Sequence, residues 1–311
     1  MGRWTALVVV GVVALAAVGL GDAIRGGGGE EARRPERRPQ PDQVTTAPKS
    51  PTVPERLESL GIGGLLYAAV RRGIECRVEV IALPTLSRSV LTGVESCRIR
   101  VSPTGRVASG GPCGDPDERI SSKTQVGVRM LRGCAPAWRP DGRLTFVSPR
   151  GDVVELVEPC ASVRPCLRVV VPQREVSRPI LELAWIDQRR LAALVRYPRE
   201  TSSLAVFEDG RLTVTDDSAF RLRSYLQPVG ARLLVPALES PSVLGFDAGG
   251  LSGPFEALPR NLADGRAFVA SPDGNWVAST AGERVFIYRA ADGGPLDPIE
   301  LDLRAEDLGW S

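Results

Sequence analysis

No histidine occurs among the 311 residues, so any chemistry here runs without the side chain that titrates near neutral pH. Ser-His-Asp and Cys-His nucleophiles and imidazole-ligated metals are excluded with it. What remains is carboxylate chemistry and six cysteines. The acidic clusters are Asp115-Pro116-Asp117-Glu118, Asp216-Asp217 and Glu306-Asp307. Such oxygens bind calcium when a loop wraps them around the ion, but none of the three has the EF-hand spacing. They read as solvated turn residues, with Asp115 to Glu118 the loop best able to hold an ion. Asp141, Asp187 and Asp273 occupy equivalent points of a repeat. Gathered at the mouth of one ring they would serve a carboxylate- or calcium-dependent lyase or lactonase; on local grounds each instead caps its own turn. No catalytic residue, metal or cofactor is expected, and no ligand-binding residue is identified.

The cysteines follow a spacing. Cys76 to Cys97 is 21 residues and Cys113 to Cys134 is also 21, while Cys97 and Cys134 each stand eight residues ahead of a turn glycine. Six cysteines allow fifteen pairings. Repeat geometry favours Cys76 with Cys97, Cys113 with Cys134, and Cys160 with Cys166, the first two reaching the first strand of the following unit. Three such bridges need an oxidising compartment.

The elements that carry these residues recur. A short apolar stretch, a Ser-Pro-Asp-Gly-like turn and a second apolar stretch appear six times, clearest at Trp138-Arg139-Pro140-Asp141-Gly142 and Ala270-Ser271-Pro272-Asp273-Gly274, and close to both at Val101-Ser102-Pro103-Thr104-Gly105. Marked by Gly64, Gly105, Gly142, Arg189, Gly230 and Gly274, the copies are 41, 37, 47, 41 and 44 residues apart. A period of 40 to 50 residues predicts a propeller. Pro sets the turn angle, Asp caps the turn and Gly accepts positive φ, so each unit opens with a hairpin. Behind Gly142, runs at 144–147, 153–157 and 167–171 complete four short strands, which make one blade. Trp138, Trp185 and Trp310 fall just ahead of the turn and are expected to wedge between blades. Arg150-Gly151-Asp152, a tripeptide associated with adhesion, lies between two strands and reads as a hairpin turn.

At the end of the chain, Asp307 to Ser311 is a first strand with no turn after it, and the opening repeat at Gly61 lacks a first strand. The last strand is expected to complete the first blade, closing six blades over residues 58 to 311. The four-strand unit with a Trp-x-Pro-Asp-Gly turn resembles the WD-like repeat of the bacterial TolB-type propeller. The resemblance implies a periplasmic or surface location and a habit of binding partners, and it transfers no catalytic residue.

Residues 1 to 24 are a different material. Trp4 to Leu20 is an uninterrupted apolar run behind Arg3, expected to form a helix that is either a membrane anchor or a cleaved signal peptide. Residues 25 to 57, dense in Arg, Pro, Glu and Gly, form a tether that cannot bury enough apolar surface to fold. Arg25, Arg33, Arg34, Arg37 and Arg38 follow the apolar run, and by the positive-inside rule alone they would hold the propeller in the cytoplasm. The cysteine pattern argues for the opposite side.

With 39 basic and 37 acidic residues, the chain has no overall field to draw nucleic acid. The expectation is therefore an all-β, six-bladed propeller, tethered to the membrane and standing outside the cytoplasm. It would bind a protein or another cell-envelope partner without catalysis.

Overall fold

The computed structural model describes residues 50–94, 96–114, 119–124, 127–159, 165–176, 178–197, 201–215, 221–230, 232–238, 243–253, 255–258, 267–281, 284–290 and 298–311. The apolar run at 4–20, most of the tether, Cys160, Asp115 to Glu118 and Asp216-Asp217 lie outside them. Among the described residues no helix is long and apolar enough to cross a membrane.

Order begins ahead of residue 58, in helix α1 (Val53–Ser59). Thr52 is its N-cap and donates its backbone N–H to Glu55 at 2.6 Å, which satisfies one end of the first turn. Leu57 is fully buried against the apolar cluster that contains Ile299 and Leu301.

Strands then follow in sets. Blade 1 opens with β1 (Gly64–Arg72), β2 (Glu75–Leu83) and β3 (Ser87–Val94). Blade 2 is β4 (Ile99–Val101), β5 (Val107–Ser109), β6 (Arg119–Thr124) and β7 (Gly127–Arg132). Blade 3 is β8 (Cys134–Trp138), β9 (Leu144–Val147), β10 (Val153–Leu156) and β11 (Leu167–Val171). Blade 4 is β12 (Ile180–Trp185), β13 (Arg190–Tyr197), β14 (Thr201–Glu208) and β15 (Arg211–Thr215). Blade 5 is β16 (Gln227–Val229), β17 (Arg232–Pro236), β18 (Val243–Asp247) and β19 (Phe255–Leu258). Blade 6 is β20 (Phe268–Ala270), β21 (Trp276–Ala281), β22 (Arg284–Arg289) and β23 (Ile299–Leu301). The final strand, β24 (Asp307–Trp310), pairs antiparallel with β1 in the register Leu66 with Trp310 and Ala69 with Asp307. It supplies the missing inner strand, as the complementary chain ends lead one to expect, and six four-stranded sheets result.

The repeated turn has one geometry in its three clear copies. The N–H groups of Gly105, Gly142 and Gly274 each donate at 2.9 Å to the carbonyl three residues earlier, at φ of +77°, +84° and +71°. A Cβ is unfavourable in that region, which explains the glycine. In blade 4 the glycine is replaced, and Asp187 Oδ1 instead accepts from the N–H of Arg189 and of Arg190, both at 2.8 Å.

Three indoles fill the seams between blades. Trp138, Trp185 and Trp310 are all nearly buried, and each donates its Nε1–H across or beside a seam: to Arg100 O at 2.8 Å, Thr145 Oγ1 at 2.8 Å and Gly63 O at 3.0 Å. A buried ring whose single polar group has a partner carries no desolvation penalty.

Two disulfides each tie one blade to the start of the next. Cys76 in β2 is bonded to Cys97, just ahead of β4, and Cys113 of the β5–β6 connection is bonded to Cys134, the first residue of β8. In the chain-entropy account a loop of this length contributes about 3 kcal/mol. Cys166 is also half of a disulfide.

Gly309 lies where β24 crosses closest to β4. A Cβ there would sit 2.1 Å from Val101 Cγ2, so Gly309→Ala forces the inner strands apart. The substitution should cost about 1–3 kcal/mol, measured by urea denaturation. An unchanged midpoint would mean that the closing strand is not held this tightly.

Candidate functional site: the central channel and its charged plug

Each blade contributes its first strand to the centre. β4, β8, β12, β16, β20 and β24 contact one another in cyclic order. They enclose a channel cavity of about 120 Å³, lined from all six blades by residues that include Arg100, Trp138, Ala184, Gln227, Val269 and Leu308.

Charge is concentrated beside this cavity. Arg100 Nη2 donates to Glu182 Oε1 at 2.8 Å, and Nη1 lies 3.3 Å from Asp307 Oδ2. Arg98 donates to the second oxygen of Glu182 at 3.3 Å and to Ser224 O at 2.7 Å. Asp307 Oδ2 accepts the N–H of Ile99 at 2.8 Å. Tyr225 closes the group, with the Arg100 guanidinium 4.7 Å from its ring centre. The charges come from β4 and the residue before it, β12 and β24, and Tyr225 stands just ahead of β16, so the cluster joins four blades. It reaches a fifth where the Tyr225 hydroxyl donates to Phe268 O on β20 at 2.7 Å.

The Tyr225 hydroxyl also lies 3.1 Å from Asp307 Oδ1, a second acceptor within its reach. Burial pushes the Asp307 carboxyl up against the pull of Arg100 and of the N–H groups of Ile99 and Leu308. Glu182 is raised by burial as well, opposed by Arg100 and Arg98. Burial and the neighbouring Asp307 hold the Tyr225 phenol well above its ordinary value.

Asp307 is thus a correction to the sequence reading, which placed Glu306-Asp307 in a solvated turn. Only Glu306 is exposed, pairing with Arg71 at 2.7 Å. β24 alternates faces, so Asp307 points into the ring and is 2 % exposed. Arg98, Arg100, Glu182 and Tyr225 went unnoticed in the sequence. The available signal was a single charge inside an apolar run, as in Ile180-Leu181-Glu182-Leu183-Ala184-Trp185.

The turn aspartates are engaged locally. Asp141 Oδ1 accepts from the N–H of Arg143 at 3.2 Å. Asp273 Oδ1 accepts from the N–H of Asn275 at 3.1 Å and from the Ser271 hydroxyl. The Ser271 hydroxyl leads the group of donors that hold the Asp273 carboxyl below its usual range. Asp187 is lowered too: burial acts against this, and the N–H groups of Arg189 and Arg190 with the Arg190 guanidinium outweigh it. Arg150-Gly151-Asp152 is a hairpin turn, with Gly151 N–H bonded to Ser148 O at 2.8 Å.

A ring of six four-stranded blades, closed by a strand from the far end of the chain, is a six-bladed β-propeller. No protein-family model and no curated protein matches the sequence. Among solved structures, the β-propeller domain of Myceliophthora thermophila Cps50 (Swd1) is similar at 13 % identity and a TM-score of 0.47, covering 73 % of this chain and 81 % of that one. A chain of the mitotic checkpoint complex is similar at 14 % identity and a TM-score of 0.46, covering 79 % and 77 %.

Removing one partner from a buried ion cluster leaves the others uncompensated, so Asp307→Ala should cost about 3–5 kcal/mol. Asp307→Asn separates the protonation effect. A carboxyl raised in the folded state contributes fully below about pH 4, where the unfolded aspartate is itself protonated, and loses that contribution as pH rises through the raised value. The stability of the unsubstituted protein relative to Asp307→Asn should therefore fall as pH climbs above about 4. Paired urea curves across that range test it, and a flat difference would mean that Asp307 is ionised throughout.

Proposed function

We propose that this chain is a membrane-tethered propeller standing outside the cytoplasm, a binding or scaffolding module rather than a catalyst. Residues 1–24 serve as membrane anchor or cleaved signal and the stretch that follows as tether up to helix α1 (Val53–Ser59), which packs on the propeller. The repeat is of the TolB type on the strength of its Trp-x-Pro-Asp-Gly turn. If the N-terminal segment is cleaved, the propeller is secreted. Its partner is a protein or another component of the cell envelope.

The pair of disulfides that staple successive blades carries the reading. Such bridges persist in oxidising compartments and are rare in the cytosol. They outweigh the arginines behind the apolar run, because a charge bias is a preference of insertion whereas the bridged pairs require an oxidant. The non-catalytic part is supported by the turn aspartates and the inner acids, each of which is engaged by donors of the fold itself.

Thiol alkylation before and after reduction, read by peptide mass spectrometry on protein from its native membrane fraction, should find Cys76 with Cys97 and Cys113 with Cys134. Protease added to intact cells should reach the propeller. Free thiols together with full protection from protease would overturn the location.

A further inference from the structure

A cavity of about 440 Å³ opens where blades 2, 3 and 4 meet, on the side at which the inner strands begin. Its size is that of a small-molecule site. The inner wall is apolar: the Cys113–Cys134 disulfide, Val147, Ile180 and Leu181, of which Cys134, Val147, Ile180 and Leu181 are buried. The rim is cationic, formed by Arg150, Arg178 and Arg196, with no acidic residue among the described residues that line it. Arg150 and Arg196 are exposed, and neither has a carboxylate partner among the described residues.

The backbone is arranged to bring these groups together. Gly114, at φ +98°, has no side chain to block the Arg196 guanidinium, whose Nη2 lies 2.9 Å from where a Cβ would stand. Ser148 forms part of the same wall, and its Oγ is buried without a hydrogen-bond partner among the described residues. Guanidinium groups such as those of Arg150 and Arg196 bind carboxylate and phosphate oxygens through charge-assisted hydrogen bonds. An apolar wall beneath them selects for a hydrocarbon body.

We infer that this seam is a binding site for a small organic anion, a carboxylate or phosphate head on an aliphatic or aromatic body. The head meets Arg150 and Arg196 at the rim, and the body lies against the disulfide, Val147 and Ile180. The site rests on the binding-module reading and gives it a ligand class. It also makes the Cys113–Cys134 bond part of a ligand wall, in addition to its role as a staple.

Calorimetric titration of the full, oxidised chain with naphthalene-2-carboxylate, naphthalene-2-methanol and inorganic phosphate tests it. The carboxylate should bind at least about tenfold tighter than the neutral alcohol, in line with charge-assisted hydrogen bonds to an arginine. Phosphate alone should bind more weakly than the carboxylate and compete with it. Arg150→Gln and Arg196→Gln should each weaken the carboxylate several-fold while leaving the alcohol and the melting temperature unchanged, since both side chains are at the surface. Equal affinity for acid and alcohol, affinity indifferent to both substitutions, or no binding at millimolar ligand would each overturn the site. Because the purified protein is used, failure here leaves the location reading intact, and a cytoplasmic location would leave the pocket's ligand class intact.

Discussion

Closure of the ring is the constraint on which everything else depends. A propeller in which each blade is complete in sequence has two free edges where the chain begins and ends, and only side-chain packing would hold them. Here β24 hydrogen-bonds to β1 from the far end of the chain, Leu66 pairing with Trp310, so the join between the ends is backbone pairing. The cost is loop-closure entropy, which grows only slowly with length. Trp310, bonded to Gly63 and buried with Leu57, Ile81 and Trp276, seals the same seam.

The charged plug is the second half of closure. Inner strands of three to six residues expose few ladder bonds to one another, and an apolar centre would fix their relative height only loosely. Arg100, Glu182 and Asp307 fix it by direction, since each charge has a partner on a different blade. Buried ion pairs are not a dependable source of stability, because desolvation offsets most of the attraction. Their effect here is geometric. Further out the same task falls to cations over rings: the Arg106 guanidinium sits 5.0 Å from Trp138 and that of Arg139 5.0 Å from Trp185, each from the blade preceding the tryptophan. Arg106 and Arg139 also donate to carbonyls in the next turn, Gly142 O at 3.4 Å and Gln188 O at 2.5 Å.

What the sequence shows plainly is what short-range stereochemistry determines. Turn glycines, the strands behind Gly142 and Gly274, the wedged tryptophans, the blade-to-blade reach of Cys76 and Cys113, and the orphan last strand all have local signatures that a repeat multiplies. Asp307 has none. Its partners Arg100 and Tyr225 are 207 and 82 residues away, and beside Glu306 it looks like any exposed acidic pair. The strand alternation that sends one inward and the other outward becomes visible only once the strand is known to be innermost. Glu155 follows the same pattern: one acid in Val153-Val154-Glu155-Leu156, 1 % exposed and ringed by Arg139, Arg143 and Arg168.

The interior arrangement also bears on where a ligand can be met. Inside the ring Arg100 is paired with Glu182 and Asp307 through its Nη groups, while its Nε is buried without a partner among the described residues, so a ligand entering the 120 Å³ channel would compete with those ion pairs. On the face where the inner strands begin, packing gives way to covalent stapling: Cys113 and Cys134 bridge blades 2 and 3 where a tryptophan seals the opposite end of the same seam. A disulfide spans a gap that it does not fill, and the space it leaves remains lined by Val147 and Ile180. Recognition by this ring is therefore expected at a seam held open by a covalent bond, since the centre has already matched its own charges.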